Sequence, residues 1–277
     1  MTNPNRNRSS HDARPDRTIV AAHFEYAADR EAYDAYVVRQ GESAAYRLRW
    51  PFRKIVCGSW SALRFAASSE APMVGPIHSR CRPECDETDI ARAFFQFLES
   101  EMDEDRMPTL VPPTLVTWDG EALHVPSLRR AAQHHDLVLP AQLRKLAPDA
   151  VHRLDLREML STGREDILLC EYAHALGLPG LPVPALEVAT LVEGSDWRAL
   201  EEQCAATVMT SAIIAARHLA STEEVAQSGA AVTDAIVAGF GKREATPFTA
   251  RLAEWHAVFR EDLRSGDFDQ GRADDDE

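Results

Sequence analysis

The chain has 277 residues, 45% of them hydrophobic, which suits one elaborated domain with a sizeable buried core. Its formal net charge of −14, from 44 acidic and 30 basic residues, repels phosphate backbones and argues against broad nucleic-acid affinity. Apolar runs such as Ala212 to Ala216 are far too short to cross a bilayer, and five scattered cysteines (Cys57, Cys81, Cys85, Cys170, Cys204) argue against a disulfide framework.

In chain order, residues 1–17 are polar and lack an apolar stretch, so a disordered arm is expected there rather than a secretion signal. The expected address is cytoplasmic, with no membrane contact. Thr18 to His23 reads as a buried strand, as do Lys54 to Trp60 and, directly after, Ala62 to Phe65. Ala71 to Glu87 mixes Pro, Gly, Ser and charge, and is expected to be a loop. A helix then starts at Asp86, which can cap it, with Ile90, Phe94, Phe97, Leu98 and Met102 on one face. Thr114 to Trp118 is a further strand after a Pro-Pro break, and Pro126 suits the first residue of a helix running to about Asp136.

Leu154 to Ser161 and Ile167 to Leu176 read as helices, the second stopped by Gly177 and Pro179. Ser195 is the expected cap of a helix reaching about Leu219, followed by helices over Glu223 to Val237 and Thr246 to Leu263. The last residues, 265–277, form an acidic tail ending in Asp274, Asp275, Asp276 and Glu277, expected to be solvated and disordered. Residues 18–264 are then one domain, with strands early and helices late. That is an α/β layered pattern.

The stretch Pro113 to Pro140, PTLVTWDGEALHVPSLRRAAQHHDLVLP, is the most informative. It resembles the second motif of predicted 3′–5′ exonucleases related to the proofreading domain of family-B DNA polymerases. In that family a strand ends in a Trp-Asn-Gly or Phe-Asn-Gly turn and continues through Phe-Asp-Leu-Pro into a helix. Trp118, Gly120, Pro126, Leu128 and Arg130 match its framework. Trp50 to Trp60 is similar to the family's second strand, and Leu154 to Leu160 to its Asp-Leu-Met-Asp segment. Ala175 to Gly180 resembles a Leu-Leu-Gly-x-Pro-Gly element, and Trp197 to Leu219 the closing helix. The resemblance runs from about Thr18 to Trp255. It implies a ribonuclease-H-like mixed sheet flanked by helices, with extra helices at the C-terminal end.

The family implies two divalent metals held by four carboxylates (the DEDD type), with a Tyr or His as general base. Here His23 stands at the first Asp and Glu25 at the Glu of the first motif. Asp119 replaces the turn Asn, and His124 replaces the second-motif Asp. In the third motif Gln203 takes the Tyr position and Thr207 the Asp position. Only Glu25 of the four carboxylates remains. One carboxylate cannot hold two magnesium ions, so no magnesium pair is expected.

Two alternatives stay open at this point. His23, Glu25 and His124 would suit zinc or another transition metal if they converge, although plain replacement of lost aspartates explains both histidines without a cofactor. Basic residues interleaved with Tyr46, Trp50 and Phe52 could hold a single strand: Arg47, Arg49, Arg53 and Lys54, then Arg129 and Arg130, with Arg144 and Lys145 further on. In an acidic chain such charges more often pair with carboxylates. His78, Cys81 and Cys85 lack a second pair at zinc-knuckle spacing, and His134 and His135 read as surface residues. Asp155 and Glu158 are explained as a helix cap or solvated face.

The expectation is therefore a catalytically inactive exonuclease-like protein that binds a protein partner or a single-stranded nucleic-acid end. The alternatives are a divergent metal-dependent 3′–5′ exonuclease or phosphoesterase using His23, Glu25 and His124, and an intact exonuclease drawing on Asp119 or Asp155.

Overall fold

A computed structural model describes residues 16–41, 49–100, 111–161, 167–243 and 245–265. The expected arm (apart from residues 16 and 17), the acidic tail beyond residue 265, Tyr46, Arg47 and Met102 lie outside the described residues.

The central strand is β1 (Arg17–Ala28), longer than its apolar run suggests. It pairs antiparallel with β2 (Arg53–Phe65), a single strand where two were expected. On its other side β1 runs parallel to β5 (Thr114–Thr117), which runs parallel to β6 (Arg153–Asp155). The outer edge of β2 carries two short strands, β3 (Met73–Val74) and β4 (His78–Cys81). The sheet order is thus β3-β2-β1-β5-β6, with β4 also on β2. The segment expected to be a loop holds both edge strands. Pairing to a long neighbour gives them order, and two or four residues show no legible alternation.

Both faces of β1 are covered, which is why it reads as a continuous apolar run. Ile19 and Ala21 point to one side, against the buried face of α8 (Trp197–Ser221), α9 (Gly229–Gly241) and α6 (Leu169–Ala175). Val20, Ala22 and Phe24 point to the other, where Ile90, Phe94 and Leu98 of α2 (Glu87–Ser100) and Leu128 and Ala131 of α3 (Val125–His134) close the core. The last helix, α10 (Pro247–Ser265), packs on α9.

Other local expectations differ in instructive ways. α1 (Arg30–Gln40) was not anticipated, because it buries no residue and has no apolar stripe. Leu154 and Asp155 belong to β6, and only Leu156–Ser161 is helical (α5). Asp196, not Ser195, caps α8, accepting from the Ala199 N–H at 3.2 Å. Ser195 instead takes a left-handed conformation (φ 56°) that ends α7 (Val188–Gly194). The helix expected from Glu223 begins at Gly229, capped by Ser228. A short α4 (Ala141–Arg144) follows α3. No helix among the described residues is long and apolar enough to cross a membrane.

Candidate functional site

Strand alternation sends His23 and Glu25 to the same side as Ile19 and Ala21, toward α8. A bulge then sets their position. Glu25 pairs with Cys57 but Tyr26 pairs with Ile55, so β2 carries one extra residue, Val56, at this level. Bulges re-aim side chains and sharpen the local twist.

The second wall comes from the end of β5. Asp119 adopts a left-handed conformation (φ 57°), and a wide π-type turn over residues 120–124 leads into α3. A Cβ at Gly120 would lie 1.8 Å from Thr117 Oγ1, so only glycine fits there. Asp155, at the end of β6, holds this turn. Its carboxylate accepts the backbone N–H groups of Asp119 (3.1 Å), Glu121 (2.9 Å) and Arg157 (3.1 Å). The wide turn delivers His124 into the interior, where it is 3% exposed.

Together these elements and α8 line a cavity of about 550 Å³. His23, Glu25, Asp119, His124, Gln203 and Thr207 all lie on its wall, beside Arg157 and the apolar Trp118, Leu123, Ile167 and Val188. Asp155 is not on that wall.

The polar groups of the cavity are engaged with one another. Arg157 Nη2 lies 2.9 Å from Asp119 Oδ1. Gln203 Oε1 accepts the Val183 N–H at 2.9 Å, and the Thr207 hydroxyl donates to the Gln203 carbonyl at 2.9 Å. His124 Nδ1 and the Tyr26 hydroxyl share a hydrogen bond of 2.7 Å. Burial holds the His124 imidazole well below the ordinary histidine range, and His23 pushes the same way. Burial likewise keeps Tyr26 protonated far into the alkaline range. His23 Nε2 lies 2.9 Å from Glu25 Oε1.

Behind Glu25 sits a patch of buried thiols. Cys204 on α8 and Cys57 on β2 share one buried cluster, and Cys57 faces Cys81 across the β2–β4 pair. Burial raises the Cys204 thiol, and the Glu25 charge adds to it. In the sequence Cys204 is one of five scattered cysteines; its approach to Glu25 requires the tertiary fold. Among the described residues, one group of potential metal ligands comes together, with His23, Glu25 and Cys204 offering atoms all within 4.8 Å of one another. His124, the third ligand expected from sequence, is not in that group.

A magnesium pair asks for several hard oxygen donors. The cavity's motif positions supply two carboxylates, Glu25 and Asp119, and the second is held by Arg157. The donor set does not fit two magnesium ions.

The other anticipated residues lie apart from the cavity wall. Lys54 Nζ is 2.9 Å from Asp29 Oδ2. Arg130 and His135 both contact the buried Glu87 carboxylate, which also accepts the Ile55 N–H at 2.8 Å. Arg129 donates to the Leu143 and Arg144 carbonyls, and Arg144 to the Leu139 carbonyl. Arg49 sits just before a short 3-10 turn (Trp50–Phe52) and Arg53 just after it. His78 packs against Phe97, with ring centroids 4.9 Å apart.

One similar structure is the family B DNA polymerase from the hyperthermophilic archaeon Pyrobaculum calidifontis, at TM-score 0.50 and 14% identity. The match covers 90% of this chain and 29% of the polymerase chain. The fold is ribonuclease-H-like. That likeness, at this identity, shows the fold and not an activity. The chain spans less than a third of the polymerase it matches. No protein-family profile matches the sequence, and no curated protein does.

Proposed function

We propose that this ribonuclease-H-like chain is a degenerate 3′–5′ exonuclease-type protein that works by binding rather than by two-metal cleavage. One observation carries the reading. The six residues whose positions resemble the exonuclease motifs line one cavity, yet its polar groups are engaged with internal partners: Asp119 with Arg157, Gln203 with Val183, Thr207 with its own helix and His124 with Tyr26. A catalytic pair of metals needs carboxylates free to turn toward it. Plain burial and pairing at those positions support loss of that chemistry.

The favoured partner is a protein. The net charge of −14 opposes a polyanion, and Lys54, Arg129, Arg130 and Arg144 already make internal contacts. A single-stranded nucleic-acid end is the competing ligand. Manganese titration followed by electron paramagnetic resonance tests the reading. The expected outcome is no spin-coupled manganese pair at any ratio. A coupled pair that disappears in Glu25→Gln would overturn it.

A further inference from the structure

We propose that His23, Glu25 and Cys204 form a site for a single thiophilic divalent cation of the zinc class, at the floor of the cavity. This goes beyond the loss of two-metal cleavage and does not depend on it, because it stands on three side chains alone. Their ligand atoms lie within 4.8 Å of one another, and His23 Nε2 is already 2.9 Å from Glu25 Oε1. An ion at about 2.0–2.3 Å from nitrogen, oxygen and sulfur asks for edges of roughly 3.3–3.7 Å.

Charge balance argues for a divalent ion. A carboxylate and a thiolate together neutralise a dication, and a neutral imidazole completes the set, so a largely buried site carries no net charge. Softness argues for the identity. A thiolate in the donor set disfavours magnesium and calcium and favours zinc or cobalt. The setting is asymmetric in a useful way. Cys204 is fully buried beneath the site, whereas His23 and Glu25 lie on the cavity wall. The fourth coordination position therefore opens into the 550 Å³ space, where water or an anionic oxygen of a ligand can take it. Cys57 packs in the same buried cluster as Cys204 and is not among the ligating atoms.

The test uses the full chain without a histidine tag, stripped of metal and titrated with cobalt(II). Expected is saturable uptake of a single ion with a sulfur-to-cobalt charge-transfer band, displaced by zinc and not by magnesium. Cys204→Ser should abolish the band while Cys57→Ser retains it. Because a buried change can unfold a chain, His23→Gln at the part-exposed wall is a second probe, expected to weaken cobalt binding by more than about tenfold. The proposal is overturned if cobalt is not bound or if the band survives Cys204→Ser. It also fails if Cys57→Ser removes the band, or if His23→Gln leaves affinity unchanged.

Discussion

Replacing Asp155 by alanine removes the carboxylate that ties the ends of β5 and β6 together. Three backbone N–H groups lose a close charged acceptor, those of Asp119, Glu121 and Arg157 at 2.9–3.1 Å, and a fourth, that of Glu158, loses a longer one at 3.5 Å. Hydrogen bonds to charged groups contribute roughly 1.5–3 kcal/mol each, but three that share one carboxylate do not add in full. Asp155 is only 9% exposed, so water replaces it poorly. The expected destabilisation is about 3–4 kcal/mol, or roughly 10 °C in melting temperature for a domain of this size. Asp155→Asn keeps one carbonyl acceptor and should lose about half as much. Urea denaturation of the three proteins measures this directly. An unfolding free energy for Asp155→Ala within about 1 kcal/mol of the parent would refute the role of this carboxylate as a structural tie.

Two further outcomes follow from the packing. His124 is held below its ordinary range, so on acidification the unfolded chain takes a proton near pH 6.5 that the folded chain refuses. Stability therefore falls as pH drops through that range, by up to about 1.4 kcal/mol per pH unit; His124→Gln should flatten the fall, and melting curves between pH 7 and 5 that match for both proteins would contradict it. At Gly58 an added Cβ would sit 2.6 Å from the Phe24 ring and 3.2 Å from Ile90. Gly58→Ala should cost about 1–3 kcal/mol by overpacking, read as an earlier urea midpoint, and an unchanged midpoint would count against this packing.

How much of this was legible in the sequence varies with the physics of each element. Buried central strands and the long α8 announce themselves, because both faces of β1 and most of α8 are apolar. α1 leaves no such mark, since it buries no residue and is held by the Asp29 cap and by Tyr33 and Tyr36 packed against Phe52. The edge strands β3 and β4 are ordered by β2 and not by their own residues. The six motif positions were found by resemblance, and the structure places them on one cavity. Their engagement was not legible. Nothing in the sequence pairs Asp119 with Arg157 or sets Cys204 behind Glu25, because both depend on the crossing of β1, the β5 turn and α8. Asp155 shows the reverse: a residue open to a catalytic reading from sequence instead accepts the hydrogen bonds that shape the turn.

The most direct measurement of the central claim is digestion of 3′-end-labelled single-stranded DNA and RNA by the full chain with magnesium or manganese. The account predicts that both strands keep their length and that Glu25→Gln behaves like the parent. Stepwise shortening from the 3′ end that Glu25→Gln abolishes would contradict it.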